Sequence, residues 1–96
     1  MPRPMADQYV LYKYDTCPFC ARVRRFLEAE GIEIPTKDTM RDPAAFRELL
    51  MGGGRATVPC LRIEDDAGGF RWLYESNDIM EYLAGQTRGQ ASPISR

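Results

Sequence analysis

A pair of cysteines three positions apart follows a short apolar run, and this arrangement constrains the local fold more than any other feature of the chain. The run is Tyr9-Val10-Leu11-Tyr12, and the pair lies in Thr16-Cys17-Pro18-Phe19-Cys20. Four consecutive apolar residues are typical of a short strand covered on both faces. Proline is favoured at the first position of a helix. The sequence therefore predicts a strand that leads through a loop into a helix, with Cys17 at the helix start.

The predicted helix runs from Pro18 to Glu30, where Gly31 is a natural stop. Unpaired N–H groups and the helix dipole favour negative charge at its first turn, and so they favour the thiolate form of Cys17. Cys20 lies one turn later on the same side, close enough to form a disulfide. Cys17 is therefore the predicted nucleophile, which requires an exposed sulfur, and Cys20 is the predicted resolving thiol.

The rest of the chain predicts three more strands and two more helices. The strands are Ile32-Glu33-Ile34, closed by Pro35, then Val58 to Ile63 and Phe70 to Tyr74. The second helix is capped by Asp42, begins at Pro43, buries Phe46, Leu49 and Leu50, and ends at Gly52-Gly53-Gly54. The last helix is capped by Ser76 and runs from Asn77 to Ala84. A parallel crossover followed by an antiparallel hairpin predicts an α/β fold.

Composition limits the possible functions. The chain has 96 residues, a net charge of −1 and no histidine. We expect one domain, with a core from about 9 to 84 and with flexible segments at 1–7 and 85–96. The charge balance argues against binding to nucleic acid or to a membrane surface. The absence of histidine excludes Ser-His-Asp triads and His-ligated metals. Three cysteines with one close pair suit a reducing compartment, so we expect a cytoplasmic protein.

The cysteine pair has three interpretations. A thiol–disulfide exchange pair is favoured, because a strand-to-helix turn supplies a stabilised thiolate and a second thiol within reach. A metal site would need further ligands, and only Cys60 remains, so no metal is expected. A fold that retains the cysteines without catalytic use is the third alternative. Cys60 itself is interpreted as a half-buried strand residue.

Two further stretches have a structural and a functional interpretation. In Thr57-Val58-Pro59, proline marks a strand start, and a cis bond before it would leave the Val58 backbone free for a peptide-like ligand. From local sequence alone a trans bond is favoured. In Glu75-Ser76-Asn77-Asp78, the polar groups suit helix capping, or alternatively a nest that binds the head group of an amino acid.

Taken together and in this order, the three motifs resemble those of the glutaredoxins and of the closely similar amino-terminal domain of glutathione S-transferases. The resemblance covers the chain from about Tyr9 to Leu83. It implies a thioredoxin-like fold, with a four-stranded mixed sheet flanked by three helices. It also implies a cis bond before Pro59 and a site for the tripeptide glutathione at the strand ends.

The resemblance also implies roles for individual residues. Cys17 and Cys20 would be the catalytic pair. The glutathione-binding residues would be Lys13, Phe19, Thr57, Val58, Pro59, Glu75, Ser76, Asn77 and Asp78. Phe19 stands where the dithiol glutaredoxins most often have tyrosine. Tyr14 stands where many have a basic residue, so either Lys13 or Arg55 would meet the glycyl carboxylate.

The expected activity is glutathione-dependent reduction of protein disulfides or protein–glutathione mixed disulfides, with glutathione as co-substrate and with the protein expected to be a monomer. A non-catalytic glutathione-binding module is the main alternative. An iron–sulfur carrier is less favoured, because the cluster-binding members mostly have one active-site cysteine followed by Gly-Phe-Ser. A thioredoxin-type reductant is also less favoured, because the Trp-Cys-Gly-Pro-Cys pattern is missing.

Overall fold

The computed structural model describes residues 8–65 and 67–91, with the side chains of the last helix described as far as residue 86. The predicted lead-in at 1–7 and the residues 92–96 lie outside this part. The described strands are β1 (Tyr9–Lys13), β2 (Thr36–Asp38), β3 (Cys60–Glu64) and β4 (Phe70–Leu73). The described helices are α1 (Pro18–Glu30), α2 (Pro43–Gly53) and α3 (Ser76–Ala91). None of these helices is long and apolar enough to cross a membrane.

The four strands form one mixed sheet in the order β2-β1-β3-β4. β1 and β2 are parallel, whereas β1–β3 and β3–β4 are antiparallel. Successive side chains of a strand point to opposite faces, so Leu11 joins the core under α1 and α3 while Tyr12 joins the core under α2. This arrangement confirms the predicted thioredoxin-like fold.

The second strand lies later in the chain than predicted. The segment Ile32-Glu33-Ile34 forms no strand, and β2 begins at Thr36, after Pro35. The carbonyl of Pro35 accepts the Leu11 N–H at 2.9 Å. Because proline lacks only the donor, it opens this ladder rather than closing it. Ile32 is buried in the core without pairing to a strand.

The buried face of α2 is narrower than predicted. The wholly buried residues are Ala45 and Leu49, one helical turn apart, whereas Phe46 is 44% exposed and Leu50 is 43% exposed. The prediction that Phe46 and Leu50 are buried is therefore wrong. The helix is fully covered only along the stripe that contains Ala45 and Leu49, so the adjacent apolar residues Phe46 and Leu50 remain partly exposed to solvent.

The end of α2 packs closely against β4 and the residue that follows it. A Cβ atom at Gly52 would overlap the Trp72 ring, and one at Gly53 would overlap the Tyr74 hydroxyl. These two glycines therefore allow a close approach that no other residue permits. Gly54 then ends the helix with φ +92°, and its N–H donates to the Leu50 carbonyl at 3.0 Å.

Helix α3 is longer than predicted. It begins at Ser76 rather than being capped by it, and the Glu75 carbonyl accepts the Ile79 N–H at 2.9 Å. It continues to Ala91 rather than ending at Ala84 as predicted, and the flexibility expected for residues 85–96 stays a prediction. Once a helix is nucleated, each further residue adds one hydrogen bond. The helix can therefore continue past Ala84 although the sequence there contains glycine and threonine.

A network of polar groups accompanies the apolar core under α2. The buried Tyr12 hydroxyl donates to Glu48 Oε1 at 2.8 Å and accepts from Arg62 Nη1 at 3.2 Å. Lys37 Nζ donates to the same carboxylate oxygen at 2.8 Å. The Lys37 hydrogen bond lowers the pKa of Glu48, and burial raises the pKa of Tyr12. The network joins β1, β2, β3 and α2.

Candidate active site

Four connections meet at one end of the sheet. Tyr12 near the end of β1 pairs with Cys60 at the start of β3, and the end of β4 lies beside the same part of β3. The parallel strand β2 also ends there, with Asp38 opposite Lys13. The loop that contains Cys17, the segment before β3, the start of α3 and the loop after β2 therefore lie at this end. All three sequence motifs are brought to it.

Cys17 caps the amino terminus of α1, as predicted. Its backbone is extended (φ −84°, ψ 119°), and Pro18 follows as the first helical residue. The Cys20 N–H donates to the Cys17 sulfur, with an N–S distance of 3.3 Å.

Cys17 is a buried residue, whereas the prediction required an exposed sulfur. Cys17 is 6% exposed, and its thiol donates to the Val58 carbonyl at an S–O distance of 3.9 Å. Val58 lies 41 residues later in the chain, so this contact depends on the tertiary fold. The side chain turns inward because both of its hydrogen-bond partners lie on the protein side.

Cys20 lies deeper than Cys17 and is wholly buried. Burial, together with the hydrogen bond to Cys17, raises the pKa of Cys20 to about 12. Cys20 therefore remains a neutral thiol near pH 7, which is compatible with the predicted role of a resolving thiol. All three cysteines are free thiols in the structure.

The segment before β3 has the conformation that the resemblance implied. The Val58–Pro59 peptide bond is cis. Val58 is half-buried against the core under α2, Pro59 is buried, and Thr57 is exposed. The carbonyl oxygen of Val58 in this segment lies 3.9 Å from the Cys17 sulfur.

Tyr74, which the sequence analysis did not single out, holds this segment in place. Its hydroxyl donates to the Arg55 carbonyl at 2.9 Å and accepts the Arg55 N–H at 3.3 Å. The Arg55 guanidinium carbon lies 4.4 Å from the centre of the Tyr74 ring, within the range of a cation–π contact. The role of Tyr74 could not be predicted from the sequence, because its hydrogen-bond partner, Arg55, lies 19 residues away in the chain.

Lys13 is already paired with two carboxylates. Its ammonium lies 2.9 Å from Asp15 Oδ1 and 3.5 Å from Asp38 Oδ2. Arg41 adds a contact of 3.7 Å to Asp15. These groups join the loop before Cys17 to the loop after β2. A ligand carboxylate that binds Lys13 would therefore compete with two protein carboxylates.

The start of α3 presents polar groups at the same end of the sheet. Glu75, Asn77 and Asp78 are exposed, whereas Ser76 is nearly buried. Phe19 also projects into solvent beside the cysteine pair. These side chains are free to meet a ligand, and their roles remain predictions.

Cys60 begins β3 at this end of the sheet, directly after Pro59. It is wholly buried under α2, more deeply than the predicted half-buried position, and burial raises its pKa to about 12. No group of three or more potential metal-ligating side chains forms within residues 8–65 and 67–91.

Comparison with known proteins identifies relatives. The family model of the glutathione S-transferase amino-terminal domain matches residues 11–91. The glutaredoxin of Neisseria meningitidis serogroup B is 36% identical over 66 residues, which covers 67% of this chain and 78% of that protein. Glutaredoxin 2 of Escherichia coli is 30% identical over 73 residues, which covers 76% of this chain but 31% of that protein. The chain thus spans about a third of the length of glutaredoxin 2.

A solved structure adds to these matches. A glutathione transferase homologue from Drosophila mojavensis, with bound glutathione, superposes with a TM-score of 0.65 and 26% identity, over 82% of this chain and 35% of that one. The chain therefore belongs to the glutaredoxin family and has the thioredoxin-like fold that this family shares with the amino-terminal domain of glutathione S-transferases.

Proposed function

We propose that this protein is a glutathione-dependent thiol–disulfide oxidoreductase that acts through Cys17 and Cys20. One observation supports this most strongly: the Cys17 sulfur caps a helix, accepts the Cys20 N–H at 3.3 Å and lies beside the Val58 backbone. That position combines a sulfur at a helix start, a second thiol and a peptide backbone that can orient a ligand.

In the proposed reaction, the Cys17 thiolate attacks the glutathione sulfur of a protein–glutathione mixed disulfide. The mixed disulfide breaks, the substrate protein leaves as a thiolate, and Cys17 forms a disulfide with glutathione. A second glutathione thiolate then attacks the glutathione sulfur of that bond, which releases oxidised glutathione and restores the Cys17 thiolate. Alternatively, Cys20 loses its proton and attacks Cys17, which releases glutathione and leaves a Cys17–Cys20 disulfide.

We propose that glutathione lies across the end of the sheet where the three motifs meet. The Val58 backbone would pair with its cysteinyl part, with Thr57 and Pro59 shaping that segment. Ser76, Glu75, Asn77 and Asp78 would receive the γ-glutamyl end at the start of α3, where N–H groups favour a carboxylate. Phe19 would border the sulfur, and Lys13 would meet the glycyl carboxylate. The bound glutathione of the Drosophila mojavensis homologue supports this choice of ligand.

Activity with two single variants tests the proposal. The assay measures reduction of a small glutathione mixed disulfide, such as that of cysteamine, in the presence of glutathione. Cys17→Ser should abolish turnover, because no other cysteine is placed to attack. Cys20→Ser should retain it, because a second glutathione can release the first. Cys60→Ser is a control for loss of a buried thiol. Retained turnover in Cys17→Ser would refute the assignment.

The burial of Cys17 favours a second candidate, a glutathione-binding module without turnover. A cysteine that is 6% exposed as a whole residue offers little surface to a disulfide. Calorimetric titration with glutathione, set beside the turnover assay, separates the two functions. Binding in the wild type without reduction of the mixed disulfide would identify the module.

A further inference from the structure

An apolar groove lies beside the proposed active site and plays no part in the chemistry described so far. This α2 groove is a cavity of about 490 Å³, lined by Thr39, Met40, Pro43, Phe46, Arg47 and Leu50. Met40 is 71% exposed, and Phe46 and Leu50 are both more than two-fifths exposed. Contiguous apolar surface of this kind commonly marks an interaction site.

The groove adjoins the loop that contains Cys17. The Thr39 N–H donates to the Lys13 carbonyl at 2.9 Å, and Arg41, next to Met40, contacts Asp15 at 3.7 Å. Asp15 lies two residues before Cys17. A chain segment that leaves a disulfide at Cys17 therefore reaches the groove within a few residues, since an extended chain spans about 3.3 Å per residue.

The one charged residue among the side chains that line the groove is a cation, Arg47. Arg47 forms no ion pair with any side chain in the described part of the protein, and no acidic residue is among the lining residues. Arg41 is also exposed, and its contacts with carboxylates are long, at 3.7 and 4.0 Å. Because opposite charges attract across an interface, the surface suits an apolar partner with acidic side chains.

A second copy of this chain suits the groove less well. A two-fold symmetric contact places the same patch on both subunits, so it brings two copies of Arg47 into one interface with no lining carboxylate to pair with either. Like charges across an interface are unfavourable. An acidic partner removes this repulsion and pairs the unpaired guanidinium.

We propose that the α2 groove docks the acidic, apolar segment next to the disulfide of a protein substrate. Phe46, Leu50 and Met40 supply apolar contact, and Arg47 pairs with a carboxylate of the substrate. This rests on the proposed function, because it makes the groove the part of the enzyme that distinguishes protein substrates from glutathione mixed disulfides of small thiols.

Peptide substrates test the proposal. Three peptides are prepared as glutathione mixed disulfides, each with a central cysteine: one flanked by leucine, phenylalanine and glutamate, one with lysine in place of glutamate, and one flanked by glycine and serine. We expect kcat/KM for the acidic apolar peptide to exceed that for the glycine–serine peptide about tenfold, which corresponds to about 1.4 kcal/mol. The lysine peptide should lose most of this preference.

Variants of the groove are compared with matched variants elsewhere. Arg47→Glu and Phe46→Ser should reduce the preference to nearly one. Two variants serve as controls. Arg25→Glu changes an exposed arginine of α1, on the other side of the sheet, and Phe70→Ser changes an exposed aromatic residue of β4. Both controls should retain the preference for the acidic apolar peptide. A wild-type ratio near one, or equal loss in Arg25→Glu and Arg47→Glu, would overturn the docking proposal.

A direct binding measurement separates this proposal from the proposed function. Fluorescence anisotropy follows a labelled acidic apolar peptide in which serine replaces cysteine, so no chemistry is needed. Binding that Arg47→Glu weakens and Arg25→Glu does not supports the groove even if no mixed disulfide is reduced, in which case the proposed function alone fails. Absence of binding, or a dimer in sedimentation velocity that Phe46→Ser dissociates, overturns the proposal.

Discussion

Replacement of Gly53 by alanine tests the close packing that holds the Val58 segment. A methyl group at Gly53 would overlap the Tyr74 hydroxyl and would lie 3.2 Å from Trp72 Cδ2. Tyr74 cannot move aside freely, because its hydroxyl makes two hydrogen bonds to the Arg55 backbone. The substitution must therefore both crowd the contact with α2 and disturb these bonds.

The size of the effect follows from three contributions. The two exposed hydrogen bonds are worth about 0.5–1 kcal/mol each, and crowding a packed position costs about 1–3 kcal/mol. In the opposite direction, alanine stabilises a helix by about 1 kcal/mol relative to glycine. We expect Gly53→Ala to lower the free energy of unfolding by about 2 kcal/mol, which lowers Tm by roughly 10 °C in a domain of this size.

Gly85 provides the matched control. It is also a helical glycine, in α3, but a Cβ atom there would meet nothing within 4 Å. Gly85→Ala should therefore raise the free energy of unfolding by about 0.5–1 kcal/mol. Urea denaturation followed by circular dichroism measures both variants. Equal stability of Gly53→Ala and the wild type, or a loss in Gly85→Ala, would refute the packing argument.

A double variant identifies the atom responsible. Tyr74→Phe removes the hydroxyl that the new methyl group would meet. If that contact dominates, Gly53→Ala should cost less in the Tyr74→Phe background than in the wild type. Strict additivity of the two changes would place the cost elsewhere in the helix.

Two further predictions concern the thiols and acid stability. At pH 8, iodoacetamide should modify Cys17 first, because burial raises the pKa of Cys20 and Cys60 to about 12 and both are wholly buried; mass spectrometry of the folded protein checks this, and faster modification of either buried thiol would contradict it. Glu48→Gln should reduce the free energy of unfolding at pH 7 by about 1 kcal/mol, a value that allows for the exposure of the Lys37–Glu48 pair. Because the Lys37 hydrogen bond lowers the pKa of Glu48 in the folded state, its contribution is present above the unfolded value of about 4.3 and is lost as the pH falls through the folded value. The difference between wild type and variant should therefore shrink toward pH 3, and urea titrations at both pH values that show an unchanged difference would refute this.

Features that depend on neighbouring residues were predictable from the sequence. Asp42 caps α2, with its carboxylate accepting the Ala44 N–H at 3.0 Å, and Gly31 and Gly54 end their helices with positive φ. Cys17 caps α1 as expected. In each case the chemistry involves groups within a few positions along the chain, so local sequence contains the information.

Features that depend on distant residues were not predictable. The start of β2 is set by pairing with β1, which lies more than twenty residues earlier. Because of this pairing, the strand begins after Pro35 and not at Ile32 as predicted. The exposure of Phe46 and Leu50 depends on how far the sheet extends beneath α2. Helical periodicity identifies an apolar face but not the width of the surface that covers it.

The burial of Cys17 belongs to this second group, and its two contacts respond in opposite ways to ionisation. The thiol donates to the Val58 carbonyl at 3.9 Å and accepts from the Cys20 N–H at 3.3 Å. Once the proton is lost, the sulfur has nothing to donate, and its negative charge is repelled by the carbonyl oxygen. The bond from the Cys20 N–H becomes stronger, because its acceptor is now charged. Ionisation therefore weakens the contact that holds the sulfur inward and retains the contact that holds it at the helix start. The inward position in the structure is therefore that of the neutral thiol, which alone can donate to the Val58 carbonyl.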